Sequence, residues 1–461
     1  MLTGPTIRSR KRQSIPCTTR FRRAADTLTD LTEIAELERL FDRLWPLDRS
    51  LTGSGVRKTH DVLAKYLPLE RIEVPAGTQV FDWTVPPEWV QREAYVIDPG
   101  GRRILDVAEN NLHLVGYSVP FRGELSRAEL DEHLHSLPGV PDAIPYVTSY
   151  YHETWGFCLS QVQRDALPEG TYQVVVDTAF DPDGSMTLSE AMLPGVSSDE
   201  VLISTYTCHP SMANNELSGP LVAAFLYRRL AALPNRRLTY RFAFLAETAG
   251  AVAYLAQRGE HFKRHLVGGL VATCVGMDAP PLYKRSERGE TAIDRATEQV
   301  LRERGVDHKV VDFYPWGSDE RQYCSPGFEL PVGCLMRGNF FERPEYHTSL
   351  DNKDFISFAA LSETISIYEA VCMALEHNIT YHNLVACGEP QLGKYGLYPQ
   401  VGARREVEQE RQDLMWLLSL ANGKRDLIDI AVRSGSSMKR LHEAAEKCRA
   451  AGILDEIEET L

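Results

Sequence analysis

The feature that most constrains this chain is a regular alternation of strand-like and helix-like segments between residues 199 and 378. Three apolar runs have the length and composition of buried strands: EVLISTYTC, LTYRFAFLA and HLVGGLVATCVG. Helical stretches alternate with them, among them GPLVAAFLYRRLAAL, AVAYLAQR and FAALSETISIYEAVCMAL. Strands that alternate with helices predict an α/β fold in which helices cover a mostly parallel sheet.

Polar side chains follow the predicted strands, at the edge where parallel sheets bind their ligands. These segments read CHPSMANNELSG, AETAG, GMDAPP, GSDERQ and PEYHTSLDN. They contain His209 and His347, and two imidazoles with an oxygen ligand are a suitable start for a zinc site that keeps one position open for water. Glu247 is a candidate general base. Alternatively, it is a glutamate at a helix N-terminus, a position that the helix dipole favours.

Several other residues are candidates for supporting roles around this site. Asp351 is either a hydrogen-bond partner of the site or a helix cap, and Asp319 either supports the site or caps a helix in solvent. Tyr151 could wall a substrate pocket or belong to a β-rich core, and Tyr346 adjoins His347 and should line the site. Arg337 could pair with a substrate carboxylate or be a solvated charge.

The rest of the chain has a different texture on each side of this α/β segment. Residues 29–72 are helical and, with residues 194–400, are expected to form one α/β domain. Residues 73–193 contain short strands separated by Pro/Gly turns and predict an inserted β-rich domain. Residues 401–461 read as three short helices and an apolar–acidic end, which suggests a winged-helix module. Residues 1–28 are expected to be a disordered basic tail.

The composition of the chain bears on which partners it can bind and where in the cell it works. The 461 residues carry a net charge of −14, and the segment from Arg404 to Leu461 has ten Lys/Arg and twelve Asp/Glu, so nucleic-acid binding is not favoured. The nine cysteines are scattered without a framework spacing, which favours a reducing, cytoplasmic location. No apolar run approaches the roughly 18 residues of a membrane span. A homo-oligomer through the C-terminal module remains an option.

At several points the sequence resembles a bacterial group of aminopeptidase-like proteins that carry an inserted β-domain and a C-terminal winged helix. This group belongs to the zinc aminopeptidase and glutaminyl cyclase superfamily. The strings that carry the resemblance are YYHETWGFC (150–158), CHPS (208–211), LSGP (217–220), ETAG (247–250), SDERQY (318–323), YHTSLDN (346–352) and GEPQLG (388–393). Each is weak alone, and together they are highly specific.

The resemblance implies roles for individual residues. His209 matches the first zinc-binding histidine of the superfamily, His347 matches the last, and Glu247 matches the glutamate that activates water. The superfamily's bridging aspartate falls in the turn Asn214–Glu216, where this chain has Asn215, a neutral and weaker ligand. Glu216, one residue on, could substitute if the turn shifts.

Two further departures bear on the number of metal ions. The glutamate that holds the second metal is Thr248 here, and Thr273 and Cys274 stand where a ligand aspartate is expected. One zinc is therefore expected rather than two, since two histidines with oxygen ligands suit zinc better than magnesium or calcium.

Two functions from different classes remain open. The first is a zinc-dependent, aminopeptidase-like hydrolase of a peptide or amide bond, which could tailor a small amide-containing metabolite in a biosynthetic pathway. The second is a metal-free, degenerate member of the fold that acts as a binding or regulatory protein through its winged-helix tail. Asn215, Thr248 and Thr273 favour the second function, and the pair of histidines with Glu247 favours the first.

Overall fold

The computed structural model describes residues 24–150, 152–397 and 405–457. The expected basic tail falls mainly on residues 1–23, outside this described part, and the described chain begins with a helix. The helices are α1 (Ala24–Leu44), α2 (Ser54–Leu63), α3 (Arg127–Asp131), α4 (Gln161–Asp165), α5 (Ser218–Ala231), α6 (Ala249–His265), α7 (Ala292–Arg304), α8 (Glu320–Tyr323), α9 (Phe358–Glu376), α10 (Arg405–Leu420), α11 (Leu427–Ser434) and α12 (Met438–Ala450).

The strands form one large sheet and several small ones. They are β1 (Glu70–Pro75), β2 (Gln79–Val80), β3 (Trp83–Thr84), β4 (Glu88–Ile97), β5 (Arg103–Ile104), β6 (Phe121–Ser126), β7 (Leu134–His135), β8 (Phe157–Cys158), β9 (Thr171–Asp181), β10 (Ser185–Leu193), β11 (Glu200–Tyr206), β12 (Thr239–Leu245), β13 (Leu266–Val271), β14 (Pro281–Lys284), β15 (Lys309–Val311), β16 (Val332–Arg337), β17 (Thr380–Asn383), β18 (Asn422–Asp426) and β19 (Leu454–Glu456).

The large sheet has eight strands in the order β1-β10-β12-β11-β13-β16-β14-β15. Its centre, from β12 through β11 and β13 to β16, is parallel, whereas β1, β10 and β14 run antiparallel to a neighbour. The α/β class is as expected, and the sheet is mixed rather than mostly parallel throughout. Every residue of β11 is buried, which is why its sequence reads as an unbroken apolar run.

Helices and the insert cover opposite faces of this sheet. Val201 and Ile203 of β11 pack with α1, α5, α7 and α9, whereas Leu202 packs with α6 and the inserted domain. Helix α9 is the one described helix with the length and composition to cross a membrane, but most of it is buried against α1, α5 and α7. Its composition is therefore explained by its place in the core.

The inserted domain is built on a four-stranded antiparallel sheet, β5-β4-β9-β6. Strand β10 was expected in this insert, within residues 73–193, but it pairs with β1 and β12 and so lies in the large sheet. The long strands β9 and β10 are separated by a short turn, and the chain returns from one sheet to the other at that turn. The small hairpin β2–β3 extends from the insert to the edge of the large sheet where the parallel strands end.

The C-terminal module is a winged helix with three helices and a three-stranded sheet, β18-β17-β19. Strand β17 precedes the expected boundary at residue 401, because the module takes its central strand from the segment after α9. The apolar side chains of α10, α11 and α12 share one core cluster with α7 and α9. Arg295 on α7 also pairs with Asp426 (2.7 Å) and Asp429 of the module. The module is thus docked firmly on the α/β domain.

Candidate active site

A cleft of about 1240 Å³ opens at the carboxyl ends of the parallel strands. His209 follows β11 and Glu247 follows β12, while His347 lies on the loop that leaves β16, and all three line the cleft. The structure therefore brings together the three residues on which the sequence-based hypothesis depended. The insert supplies the opposite wall through its β2–β3 hairpin and through Tyr146 and Tyr150.

The imidazole of His209 is held from behind. Its Nδ1 lies 2.9 Å from Oε2 of Glu216 and 3.2 Å from the sulfur of Cys208. Glu216 is itself fully buried against Arg49, whose Nε donates to the carbonyl oxygen of His209 at 3.0 Å. Because Nδ1 is engaged, Nε2 is directed at Glu247, 3.6 Å away.

His347 presents a free nitrogen to the same place. Its ring centroid lies 5.5 Å from that of His209, and its Nε2 is buried without a hydrogen-bond partner. Burial lowers the pKa of His347 to about 3, so its imidazole is neutral and can act as a ligand. Tyr346 stacks on this ring with a centroid distance of 4.0 Å, so it supports His347 from the side.

Asn215 also offers an unused ligand atom. Its amide Nδ2 donates to the hydroxyl of Tyr206 at 3.0 Å, and its Oδ1 is buried without a partner. The turn that carries it, Ala213–Leu217, is π-helical and is held by Asp351, whose carboxylate accepts the backbone N–H groups of Asn214 and Asn215. Asp351 therefore positions the turn, which is one of the roles expected for it.

His209, His347 and Asn215 are the candidate ligands for one metal ion. His209 Nε2, His347 Nε2 and Asn215 Oδ1 provide two imidazole nitrogens and one oxygen, and a carboxylate behind the first histidine is a common support for such a ligand. A second compact group, Cys208, His209 and Glu216, has ligand atoms within 4.8 Å of one another. That group surrounds the engaged Nδ1, and burial raises the pKa of the Cys208 thiol to about 11, so we favour the first set.

The positions expected to lack second-metal ligands carry threonine side chains that are already hydrogen-bonded. The hydroxyl of Thr273 bonds the backbone carbonyl of Asn215 and the hydroxyl of Tyr206, and Thr248 accepts a hydrogen bond from Arg321. Thr273 is thus satisfied by a hydroxyl and a backbone carbonyl and Thr248 by a guanidinium, and neither side chain supplies the carboxylate expected at its position. The donor set suits one ion and does not suit two.

Glu247 has the environment of a general base. Burial raises its pKa, while His209 and Arg321 oppose that shift. Its backbone N–H donates to the sulfur of Cys208 at 3.1 Å, which ties the ends of β11 and β12 together. Asp319 lies fully buried beneath it, where one carboxylate oxygen accepts the N–H of Thr248 at 2.7 Å. Asp319 thus supports the loop of Glu247 from below and does not line the cleft.

Backbone strain is concentrated here. Four residues that line the cleft, Tyr117, Thr248, Glu329 and His347, have positive φ, between 51° and 66°, although none is glycine. Side chains with a Cβ adopt this region at a cost, and such residues collect at functional sites. Four strained positions around one cleft support its assignment as the active site.

Two expected substrate contacts need comment. Arg337 does not line the cleft: it is 6% exposed, its Nε donates to the carbonyl of Met277 at 2.9 Å, and it pairs with Glu363 at 2.9 Å. The expectation that it binds a substrate carboxylate is corrected, because β16 directs this side chain toward α9. Tyr151, the expected pocket wall, lies outside the described residues.

Residues that the sequence did not single out complete the site. Tyr146 packs against both histidines, with its ring centroid 5.2 Å from that of His209 and 5.4 Å from that of His347. Its hydroxyl is 3.2 Å from that of Tyr150. Tyr146 is placed by backbone pairing, since its N–H donates to the carbonyl of His347 at 2.9 Å. The dense tyrosine string IPYVTSYY was a signal, but the pairing partner 200 residues away could not be seen in it.

The fold and this site together define an aminopeptidase-like α/β protein with a C-terminal winged helix. Residues 38–378 match the family model described as "Domain of unknown function (DUF4910)", and residues 379–456 match a winged helix-turn-helix model. The chain therefore belongs to the DUF4910 family. The two matches meet next to β17, in agreement with the strand pairing of the C-terminal module.

Known proteins agree with this description. A Clostridium acetobutylicum protein, provisionally named a polysaccharide biosynthesis protein with an aminopeptidase-like domain, is 44% identical over 411 residues, 89% of this chain and 94% of the relative. A crystal structure of a provisionally assigned peptidase from the same species is 41% identical with a TM-score of 0.87, covering 94% of this chain and 99% of that one. BSAP, a zinc aminopeptidase from Bacillus subtilis, matches in fold at 12% identity, with a TM-score of 0.55 over 74% of this chain and 93% of its own.

Proposed function

We propose that this protein is a zinc-dependent hydrolase of a peptide or amide bond. The observation that carries the proposal is the meeting of two imidazoles and Glu247 in one cleft: Nε2 of His209 lies 3.6 Å from the Glu247 carboxylate, and the ring of His347, whose Nε2 is buried and unpartnered, lies 5.5 Å from that of His209. The fold shared with a zinc aminopeptidase supports the proposal. The name of the Clostridium relative favours an amide-bearing intermediate of a biosynthetic pathway as substrate rather than bulk protein.

The two histidines and Asn215 would hold the ion, which when bound polarises a carbonyl and lowers the pKa of water from about 15.7 toward about 7. Glu216 fixes the tautomer of His209, because its carboxylate accepts a hydrogen bond from Nδ1–H. Glu247 accepts a proton from the attacking water and passes it to the amine nitrogen as the carbon–nitrogen bond breaks. Burial raises the pKa of Glu247, which makes its carboxylate a stronger base.

Tyr146 supplies the remaining element of an amide hydrolase, a donor to the carbonyl oxygen. Burial raises the pKa of its phenol well above 10, so the hydroxyl keeps its proton. Its ring packs against the imidazoles of both His209 and His347 and lines the cleft, where negative charge would develop on the substrate oxygen. The insert therefore contributes to the chemistry as well as to the wall.

Elemental analysis of protein purified without a chelator or a His-tag tests the proposal, beside a His209→Ala/His347→Ala variant. About one zinc per chain, lost in the variant, is expected, together with hydrolysis of aminoacyl substrates that Glu247→Gln abolishes. Two ions per chain would contradict our interpretation that Asn215, Thr248 and Thr273 leave no ligands for a second ion. No metal after zinc is restored would favour the alternative, a metal-free binding protein, to which the neutral Asn215 points.

A further inference from the structure

The cleft contains a single basic side chain of the lysine or arginine type among the described residues that line it, and this is Arg321. Four carboxylates share the same walls: Asp82, Glu247, Glu287 and Glu329. A lone guanidinium in an otherwise acidic cleft is a selective position, because it can neutralise one negative charge of a ligand. A ligand with several negative charges would be repelled by the surrounding acids.

Arg321 has donor groups to spare. One terminal nitrogen donates to the hydroxyl of Thr248 at 2.8 Å, whereas its Nε is buried without a partner. No carboxylate of the described residues forms an ion pair with it. Arg321 is half-buried, and the fully buried Arg241 differs from it, because Arg241 is paired with Glu190 at 2.7 Å and with Glu200 at 2.8 Å.

The contrast matters because a guanidinium with an unsatisfied N–H is costly to bury. A bidentate carboxylate is the ligand whose geometry matches it. The cost at Arg321 is therefore relieved if a ligand carboxylate binds there.

The position of Arg321 relates this carboxylate to the reaction. Arg321 contacts Thr248, the residue after Glu247, and its charge acts directly on Glu247 by lowering the pKa that burial raises. A carboxylate held by Arg321 therefore lies close to the bond that Glu247 would help to break.

Resting on the proposed hydrolase function, we propose that Arg321 binds a carboxylate of the substrate. The substrate class is an amide with one carboxylate near the scissile bond, and the simplest member is a dipeptide. The carboxylates that line the cleft can then pair with the amino group of the dipeptide.

The test measures binding without turnover. The full-length Glu247→Gln chain is titrated by calorimetry with dipeptides that have small, apolar, aromatic or charged first residues, and with the C-terminal amide of each. We expect at least one free dipeptide to bind about 10- to 100-fold more tightly than its amide, as for loss of one charge-assisted pair. Adding Arg321→Met should bring the two to parity, and Arg321→Lys should leave an intermediate preference.

Thr248→Val is the matched control, because it removes the hydroxyl that Arg321 contacts and leaves the guanidinium in place; the preference for the carboxylate should survive. Melting temperatures of all variants report whether they fold, and Arg321→Lys keeps the test valid if Arg321→Met does not. Equal binding of acids and amides, a preference that persists in both Arg321 variants, or no binding by any dipeptide would overturn the assignment. If the Glu247→Gln chain prefers the free carboxylate but the parent protein hydrolyses none of the dipeptides, the role of Arg321 stands and only the hydrolase function is refuted.

Discussion

Oε2 of Glu216 lies 2.9 Å from Nδ1 of His209, and Glu216 is buried completely between that imidazole and Arg49. The sequence had suggested Glu216 as a substitute ligand for the missing aspartate. The structure gives it another task, since its carboxylate orients the histidine from behind and Arg49 neutralises it. Asn215 is left as the oxygen donor of the turn.

This relationship predicts the behaviour of Glu216→Gln. The amide can still accept from Nδ1 but lacks the charge that makes the imidazole a stronger ligand, so zinc affinity should fall about 10- to 100-fold. Competition with a chromophoric chelator measures it. Glu88→Gln is the matched control, because Glu88 is also a buried carboxylate paired with an arginine, Arg57, and lies outside the cleft. Equal zinc affinity in the two variants would refute the role of Glu216.

Tyr146→Phe tests the contribution of the insert to the reaction. If the phenol donates to the carbonyl oxygen, kcat should fall by about 100-fold or more with a much smaller change in KM. Steady-state kinetics on the best aminoacyl substrate measure both. Tyr117→Phe is the control, since its hydroxyl is committed to Thr52 at 2.7 Å, and kcat should change far less. A normal kcat for Tyr146→Phe would remove this residue from the chemistry.

His60 should make stability depend on pH. It is buried between the hydroxyls of Thr207 (2.8 Å) and Ser189 (2.7 Å), and burial lowers its pKa from 6.5 to about 3. The folded chain therefore keeps His60 neutral, while the unfolded chain binds a proton below pH 6.5. Its contribution is fully present above pH 6.5 and declines by about 1.4 kcal/mol for each pH unit as the pH falls toward 3.

Urea unfolding of the parent and of His60→Gln between pH 8 and pH 4.5 measures this effect. The difference in unfolding free energy should be constant above pH 7 and shrink below pH 6.5, because glutamine has no proton to gain. A difference that stays constant to pH 4.5 would show that His60 is charged in the folded chain.

The winged helix should not bind DNA. The basic side chains of α12 are paired with acids of the same module: Lys439 with Glu443, Arg440 with Asp413, Lys447 with Glu410, and Arg449 with Glu446 and Glu456. Phosphate contacts would have to compete with these pairs. Fluorescence anisotropy with a labelled duplex at about 50 mM salt should show no binding by the full chain. Salt-sensitive binding that is lost in Arg440→Ala would reverse this view and make the module a DNA reader.

The sequence predicted that His209, Glu247 and His347 would lie together because local order carries that information. His209 and Glu247 follow buried apolar strands, and the ends of parallel strands meet at one edge, so their proximity follows from the class of sheet. The expectation for Arg337 was wrong for a different reason: the residue is correctly placed near the end of a strand, but strand alternation directs it to the opposite face, where Glu363 neutralises it. Because side chains alternate between the two faces of a strand, a shift of one residue decides which face a side chain occupies.

Other features depended on contacts that no local pattern encodes. Strand β17 looks like the end of the α/β domain until its pairing with β18 and β19 is known. Tyr146 acquires its role only through a partner strand far along the chain, and Arg321 is notable only because nearby carboxylates do not reach it. Pairing across long separations and the absence of a partner are both properties of the folded molecule.

The hydrogen bonds that join the segment of Tyr146 to the His347 loop have a consequence for how this protein folds. Ile144 and Ser349 exchange hydrogen bonds across 205 residues, so the pocket closes only when the ends of a very long loop have met. Loop closure on this scale is entropically costly and slow, which places completion of the site late in folding. The smallest unit able to form the complete pocket is therefore the α/β domain with its insert: excising the insert would remove one wall of the pocket and uncover the sheet residues that pack against it, among them Leu202.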